Sequence, residues 1–158
     1  MKLKYLLLMV MAVFGIFFAS SCNKLLDEKD NSISANIDNK LHEWGGAAVT
    51  AHRVDTLERI IIQGLKPTGV SRTEQLSITI VDFFGVGNYS FQKNTSNVSS
   101  YTVSGIDTSF QIMNISGSVN VESFDEQYVS GTFNFIMRTT EFDTFKIENG
   151  KFSSIVAN

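Results

Sequence analysis

The chain has a single cysteine, Cys22, and so cannot form an internal disulfide. Exported proteins that depend on disulfides carry even sets of cysteines, so whatever folds here is held by its core alone. Basic runs are also missing. Nucleic-acid binding needs clustered Lys and Arg to displace counterions from phosphates, and that function class drops out. The longest apolar run, Tyr5 to Phe18, falls short of the roughly 20 residues a membrane-spanning helix needs. There is no HExxH, no cysteine pair and no EF-hand loop, so neither a metal nor any other cofactor is expected. With no G-x-S-x-G motif, and only His42 and His52 to serve as bases, a catalytic triad has little to be built from. Carboxylate pairs drawn from Asp82, Asp107, Glu122, Asp125 and Glu126 have separations a sequence does not set. The chain is read as a non-enzyme.

The N-terminus is more informative. Lys2 and Lys4 form a short positive region, an apolar stretch follows, and Ala19, Ser20 and Ser21 supply small residues before Cys22. "FASSC" resembles the lipobox of bacterial lipoproteins, with Ala19 where Leu or Val is common. The resemblance implies that residues 1–21 are removed, that the Cys22 thiol takes a diacylglycerol, and that the new α-amino group is acylated. Two or more acyl chains hold a bilayer firmly where one binds marginally. The expected location is therefore the cell envelope, with the protein anchored to the outer membrane through its N-terminal acyl chains. The removed segment carries two lysines and no acid, so the mature chain has 11 basic residues against 16 acidic and a formal charge of −5. Residues 22–31 read as the lipidated cysteine and a polar tether. Asp27, Glu28 and Asp30 within it resemble the acidic signals that send some lipoproteins to the outer face of the membrane.

From residue 32 to 158 the dominant period is two, which predicts one all-β domain. "EQLSITIVD" sets Leu76, Ile78 and Ile80 against Ser77 and Thr79. "GSVNVES" and "YVSGTFNFIMR" alternate in the same way, which marks half-buried strands. Gly131 inside the latter predicts a bulge or a close backbone approach. "DTLERIIIQG" carries a helix-start pattern at Asp55 and Glu58, but three consecutive isoleucines favour a strand. Turns are expected at "IDNKL" (37–41), around Pro67 in "KPTGVSR", at Gly85 to Asn88, at "FDEQY" (124–128), and as a type I′ hairpin at Asn149-Gly150. The expected architecture is an antiparallel β-sandwich of roughly nine or ten short strands, with a flattened β-barrel as the alternative. Ten mature phenylalanines suit either interior.

In order along the chain, "ISANIDNKLHEW", "GNYSF", "ISGSVNV" and "YVSGTFNF" followed by "IENGKFSSI" resemble a family of uncharacterised small lipoproteins of Bacteroidota, classed as a domain of unknown function. The resemblance implies an exported all-β domain and no established activity. The functional expectation is a non-catalytic binding module for a glycan, a peptide or an envelope partner. Trp44, Tyr89 and Tyr101 are the candidates for an exposed aromatic platform. A structural or accessory subunit of an envelope assembly is the alternative, and a hydrolase with an unrecognised site ranks last.

Overall fold

In a strand, alternate side chains face opposite ways, so a period-two run presents one apolar wall and one wet one. The computed structural model, which describes residues 31–92, 94–105, 109–125, 127–139 and 143–157, is built almost wholly from such runs. Ten strands follow in chain order: β1 (Ser32–Ile37), β2 (Lys40–Gly45), β3 (Val49–Val54), β4 (Arg59–Gly69), β5 (Arg72–Val81), β6 (Gly87–Gln92), β7 (Val98–Ser104), β8 (Ser109–Asp125), β9 (Tyr128–Arg138) and β10 (Thr144–Ala157). Leu76, Ile78 and Ile80 of β5 are fully buried, as are Val119 and Val121 of β8 and Val129 and Met137 of β9, so the apolar set of each alternation faces inward.

The all-β expectation holds. The ten strands form one continuous sheet that curls upon itself, half-barrel in outline. Pairings run β3-β4-β5-β7-β8-β9-β10, and β10 returns to β3 through a two-residue parallel contact, Val156 with Ala51 and Ala157 with His52. Every other pairing among the described residues is antiparallel. The β1–β2 hairpin extends from β10, and β6 extends from β8. Two strands are long rather than short. β8 spans 17 residues and pairs first with β7, then with β6; β10 spans 14 and pairs first with β1, then with β3. Register shifts bend both, since an extra residue on one strand sharpens its local twist.

Several turns fall where expected. Asp38 and Asn39, both at positive φ, join β1 to β2, and β8 turns into β9 with Asp125 opposite Tyr128. "DTLERIIIQG" is a strand preceded by a single 3₁₀ turn at Asp55–Leu57; Glu58, in the left-handed region, ends that turn. Two readings are corrected. Asn149-Gly150 is not a hairpin. Asn149 takes the positive φ of 54° that the motif demands, but β10 continues through it, and the pair forms a bulge between Ile147 opposite Phe135 and Gly150 opposite Phe133. Pro67 lies within β4, opposite Thr73, and the turn comes later at Val70 and Ser71.

Candidate functional site

Two regions gather chemistry-bearing side chains. The first is the seam where the sheet curls back on itself. β1 and β2 diverge from β3 there, because β10 pairs with β1 up to Ser153 and with β3 only from Val156 onward. β2 leans on the neighbouring wall instead. Trp44 packs directly on Gly64 of β4, where an added Cβ would lie 2.8 Å from the indole Cγ. One turn of the pleat away, His42 Nδ1 lies 3.1 Å from Glu74 Oε2 of β5, positioned for Nδ1–H to donate to the carboxylate. The imidazole stacks near Trp44 at 6.1 Å between centroids and meets Tyr101 edge-on at 6.2 Å. Tyr101 in turn meets Phe145 at the start of β10. Burial pushes the Tyr101 phenol up to about 12; the Glu74 carboxylate adds to that and the Arg72 guanidinium opposes it.

This geometry corrects the aromatic platform. Trp44 and Tyr101 are 3 % and 6 % exposed and belong to the core, so they present no stacking surface. The Trp44 indole N–H is buried with no hydrogen-bond partner among the described residues. Tyr89 lies elsewhere. It is half-buried against Phe83, its hydroxyl donates to the Gly85 carbonyl at 2.7 Å, and it fastens the loop before β6. His52 is exposed on β3 and far in register from His42. Among the described residues no group of three His, Cys, Asp or Glu side chains is placed to hold a metal ion. Cys22, Asp27, Glu28 and Asp30 lie outside the described residues.

The second region went unnoticed in the sequence because it exists only once the register is known. The outward side chains of β6, β8, β9, β10, β1 and β2 line up across six strands. One row reads Asn88, Asn120, Thr132, Lys151, Ser34, Glu43. Beside it four serines sit on adjacent strands, Ser123, Ser130, Ser153 and Ser32. Small side chains leave a shallow groove of about 530 Å³ here, with Glu122 and Lys151 as its charged members. The Thr132 hydroxyl donates to Glu122 at 3.3 Å, and Tyr128 and Ser153 share a hydrogen bond of 2.7 Å. A second groove of about 320 Å³ continues along the same face, lined by Ser116, Ser118, Asn134, Ile136, Lys146 and Glu148. Hydroxyls and amides both donate and accept, so this face can hydrogen-bond a neutral polar ligand. The sequence signal was there in the Ser, Thr and Asn positions between the buried residues of β8, β9 and β10, which the alternation assigns only to "outside".

A family model covering residues 29–156 matches from just before β1 to near the end of β10. The chain belongs to that family, described as a domain of unknown function (DUF6252). No curated protein and no solved structure matches the chain. Membership in DUF6252 thus covers all ten strands, the seam and the polar face, and brings no assigned activity to any of them.

Proposed function

We propose that this DUF6252 domain is a non-catalytic binding module of the bacterial cell envelope, anchored to the outer membrane by acyl chains on Cys22, that takes up a glycan across its six-stranded polar face. The observation carrying the ligand class is the pair of side-chain rows ending in the groove of Ser32, Ser34, Ser130, Thr132 and Ser153. Glycans are recognised through many shared hydroxyl and amide hydrogen bonds, and broad shallow surfaces suit extended chains better than enclosed pockets. The lipobox-like "FASSC" supports the anchor.

Glycan-array binding of the acylated full chain, compared with Ser34→Arg and Thr132→Arg variants, tests the ligand class. Both substitutions fill the groove from half-buried positions on the outward face and leave the core untouched. A bound glycan whose signal falls at least tenfold in both variants is the expected result. An array on which the parent retains nothing, or on which the variants bind as the parent does, sets the glycan reading aside. Mass spectrometry of the mature N-terminus tests the anchor: acylated Cys22 is expected, and a membrane-bound, unacylated Cys22→Ala product would remove it.

The accessory-subunit reading has its own observation. β2 ends the strand order beyond β1, and such a sheet edge is one that another chain's strand can extend. Cross-linking from Lys40 on β2 to a second protein in whole cells would favour it over a glycan.

A further inference from the structure

The two ends of the curled sheet are unequal with respect to the membrane. One end gathers the start of β1, the 3₁₀ turn at Asp55–Leu57, the loop between β5 and β6, the β8–β9 hairpin and the end of β10. Hydrogen bonds tie them together: Phe83 N–H donates to the Glu58 carbonyl at 2.7 Å, and Val156 N–H to the Gln127 carbonyl at 2.9 Å. The Phe83 ring meets Phe124 edge-on at 4.9 Å, and the Arg53 guanidinium lies over Phe124. Asn31, where the chain enters the domain, is pinned at the same end. Its carbonyl accepts from Gly46 N–H at 2.8 Å, and its side-chain oxygen accepts from Ile155 N–H at 2.7 Å.

From this end three apolar side chains project on turns rather than strands: Leu57 (54 % exposed), Phe84 (77 %) and Val86 (65 %). Phe84 is the largest exposed apolar side chain described, and Tyr89 and Phe83 hold its loop in place. Nine residue steps separate Cys22 from Asn31, so even a fully extended link spans at most about 30 Å. A domain held at Cys22 therefore keeps this end within about 30 Å of the bilayer.

Resting on the Cys22 anchor proposed above, we propose that Leu57, Phe84 and Val86 form a second membrane contact, inserting into the lipid interface and fixing the domain upright with its polar face turned along the membrane normal. The charges around them, Asp55, Glu58 and Asp82 against Arg53 and Arg59, leave no basic excess to attract an anionic surface, so the matching partner is a zwitterionic one. Arg53 pairs with Asp55 at 2.7 Å and the two offset each other, and Arg59 stands beside Glu58, so the acids outnumber the bases at this end by one.

The test uses full-length acylated protein, in which the only free thiol is an introduced one. Phe84→Cys, Val86→Cys and, at the far end, Val70→Cys are labelled with a bimane fluorophore and reconstituted into phosphatidylethanolamine/phosphatidylcholine vesicles containing doxyl-labelled lipid. Quenching at least twofold stronger at positions 84 and 86 than at 70 is expected, diminishing when phosphatidylglycerol is added. Equal quenching at all three positions overturns the proposal. So does a position-84 label that lipid leaves unquenched but that whole cells shield from iodide, since that result assigns the end to a protein partner. The acylation state of Cys22 is measured on the same samples. An unacylated Cys22 removes the anchor, while quenching at position 84 still decides whether the end enters lipid.

Discussion

Two walls of the same curled sheet are packed by opposite means. In the β4–β5 wall, outside Gly64 under Trp44, the core is aliphatic and regular. Ile60 faces Ile80, Ile62 faces Ile78, and the register runs without interruption from Arg59 to Pro67. In the β9–β10 wall, glycine faces phenylalanine twice. Phe152 is opposite Gly131 and Phe133 is opposite Gly150, and each ring lies across the neighbouring glycine where a side chain would have been. The rings continue inward as a file, with Phe133 5.4 Å from Phe135 and Phe135 5.1 Å from Phe91. An aromatic ring covering a cross-strand glycine restores the contact area that glycine lacks. The difference teaches that a curled sheet need not be uniform. One wall fills space with β-branched volume, while the other makes room by deletion and fills it from the partner strand.

The walls should therefore fail under opposite insults. The largest effect is expected at Gly131, where a Cβ would collide with the Asn120 carbonyl and lie 2.8 Å from the Phe152 ring. Gly131→Val should cost about 4 kcal/mol or more and leave little folded protein by circular dichroism, because the obstacle includes backbone. A cooperative, near-parental melt for Gly131→Val would break the comparison. In the aliphatic wall the sensitivity is to lost volume. Ile78, fully buried, should lose about 3 kcal/mol on Ile78→Ala, read from urea midpoints, and only about 1 kcal/mol on Ile78→Val. An Ile78→Ala cost below about 1 kcal/mol would mean that this wall collapses around cavities and is not packed as described.

These walls also mark how far the sequence could be read. Strand identity and inward face were legible in β5, β8 and β9, because alternation is a local property of the chain. The glycine–phenylalanine pairing was half visible. Gly131 within a strand announced a close approach, but the identity of Phe152 as the partner, 21 residues on, requires the register. At the seam nothing local helps. His42 and Glu74 are 32 residues apart, and Trp44 is buried only because β2 leans across Gly64. Read locally, Trp44 and Tyr101 are candidates for an exposed aromatic platform. The Asn149-Gly150 motif misled for a related reason. It specifies a backbone angle, and whether that angle turns a hairpin or makes a bulge depends on pairing at both sides, with β9 and with β1.

The seam lies between the two walls and gives a pH-dependent test of which one it belongs to. The Tyr101 phenol is raised to about 12, chiefly by burial. A folded-state value above the unfolded one, near 10, favours the neutral form in the native protein. The associated stability is complete below about pH 10 and is lost as pH rises through about 12. On the order of 2 kcal/mol should disappear across that window, measured by urea unfolding at stepped pH, and Tyr101→Phe should flatten the loss. A Tyr101→Phe protein that loses stability in parallel with the parent would show that Tyr101 is hydrated, and that the seam is open to water rather than packed like the walls beside it.

The smallest effect is expected at the bulge of the aromatic wall, and it separates the two readings of Asn149-Gly150. Asn149 has φ of 54°, a region that costs ordinary L-residues roughly 1 kcal/mol, and its backbone N–H donates to the Asn134 side chain at 3.0 Å. Asn149→Ala should thus cost about 1 kcal/mol, and Asn149→Gly should be neutral within a few tenths. Because β10 is continuous, the cost should be spread over global unfolding. Amide exchange at Phe135 and Phe152, on either side of the bulge, should accelerate by the same factor in Asn149→Ala, as expected when both are freed only by opening the whole sheet. Faster exchange confined to residues after 149, with Phe135 unchanged, would mean that the segment beyond the bulge detaches alone, and the aromatic wall would then be two pieces rather than one.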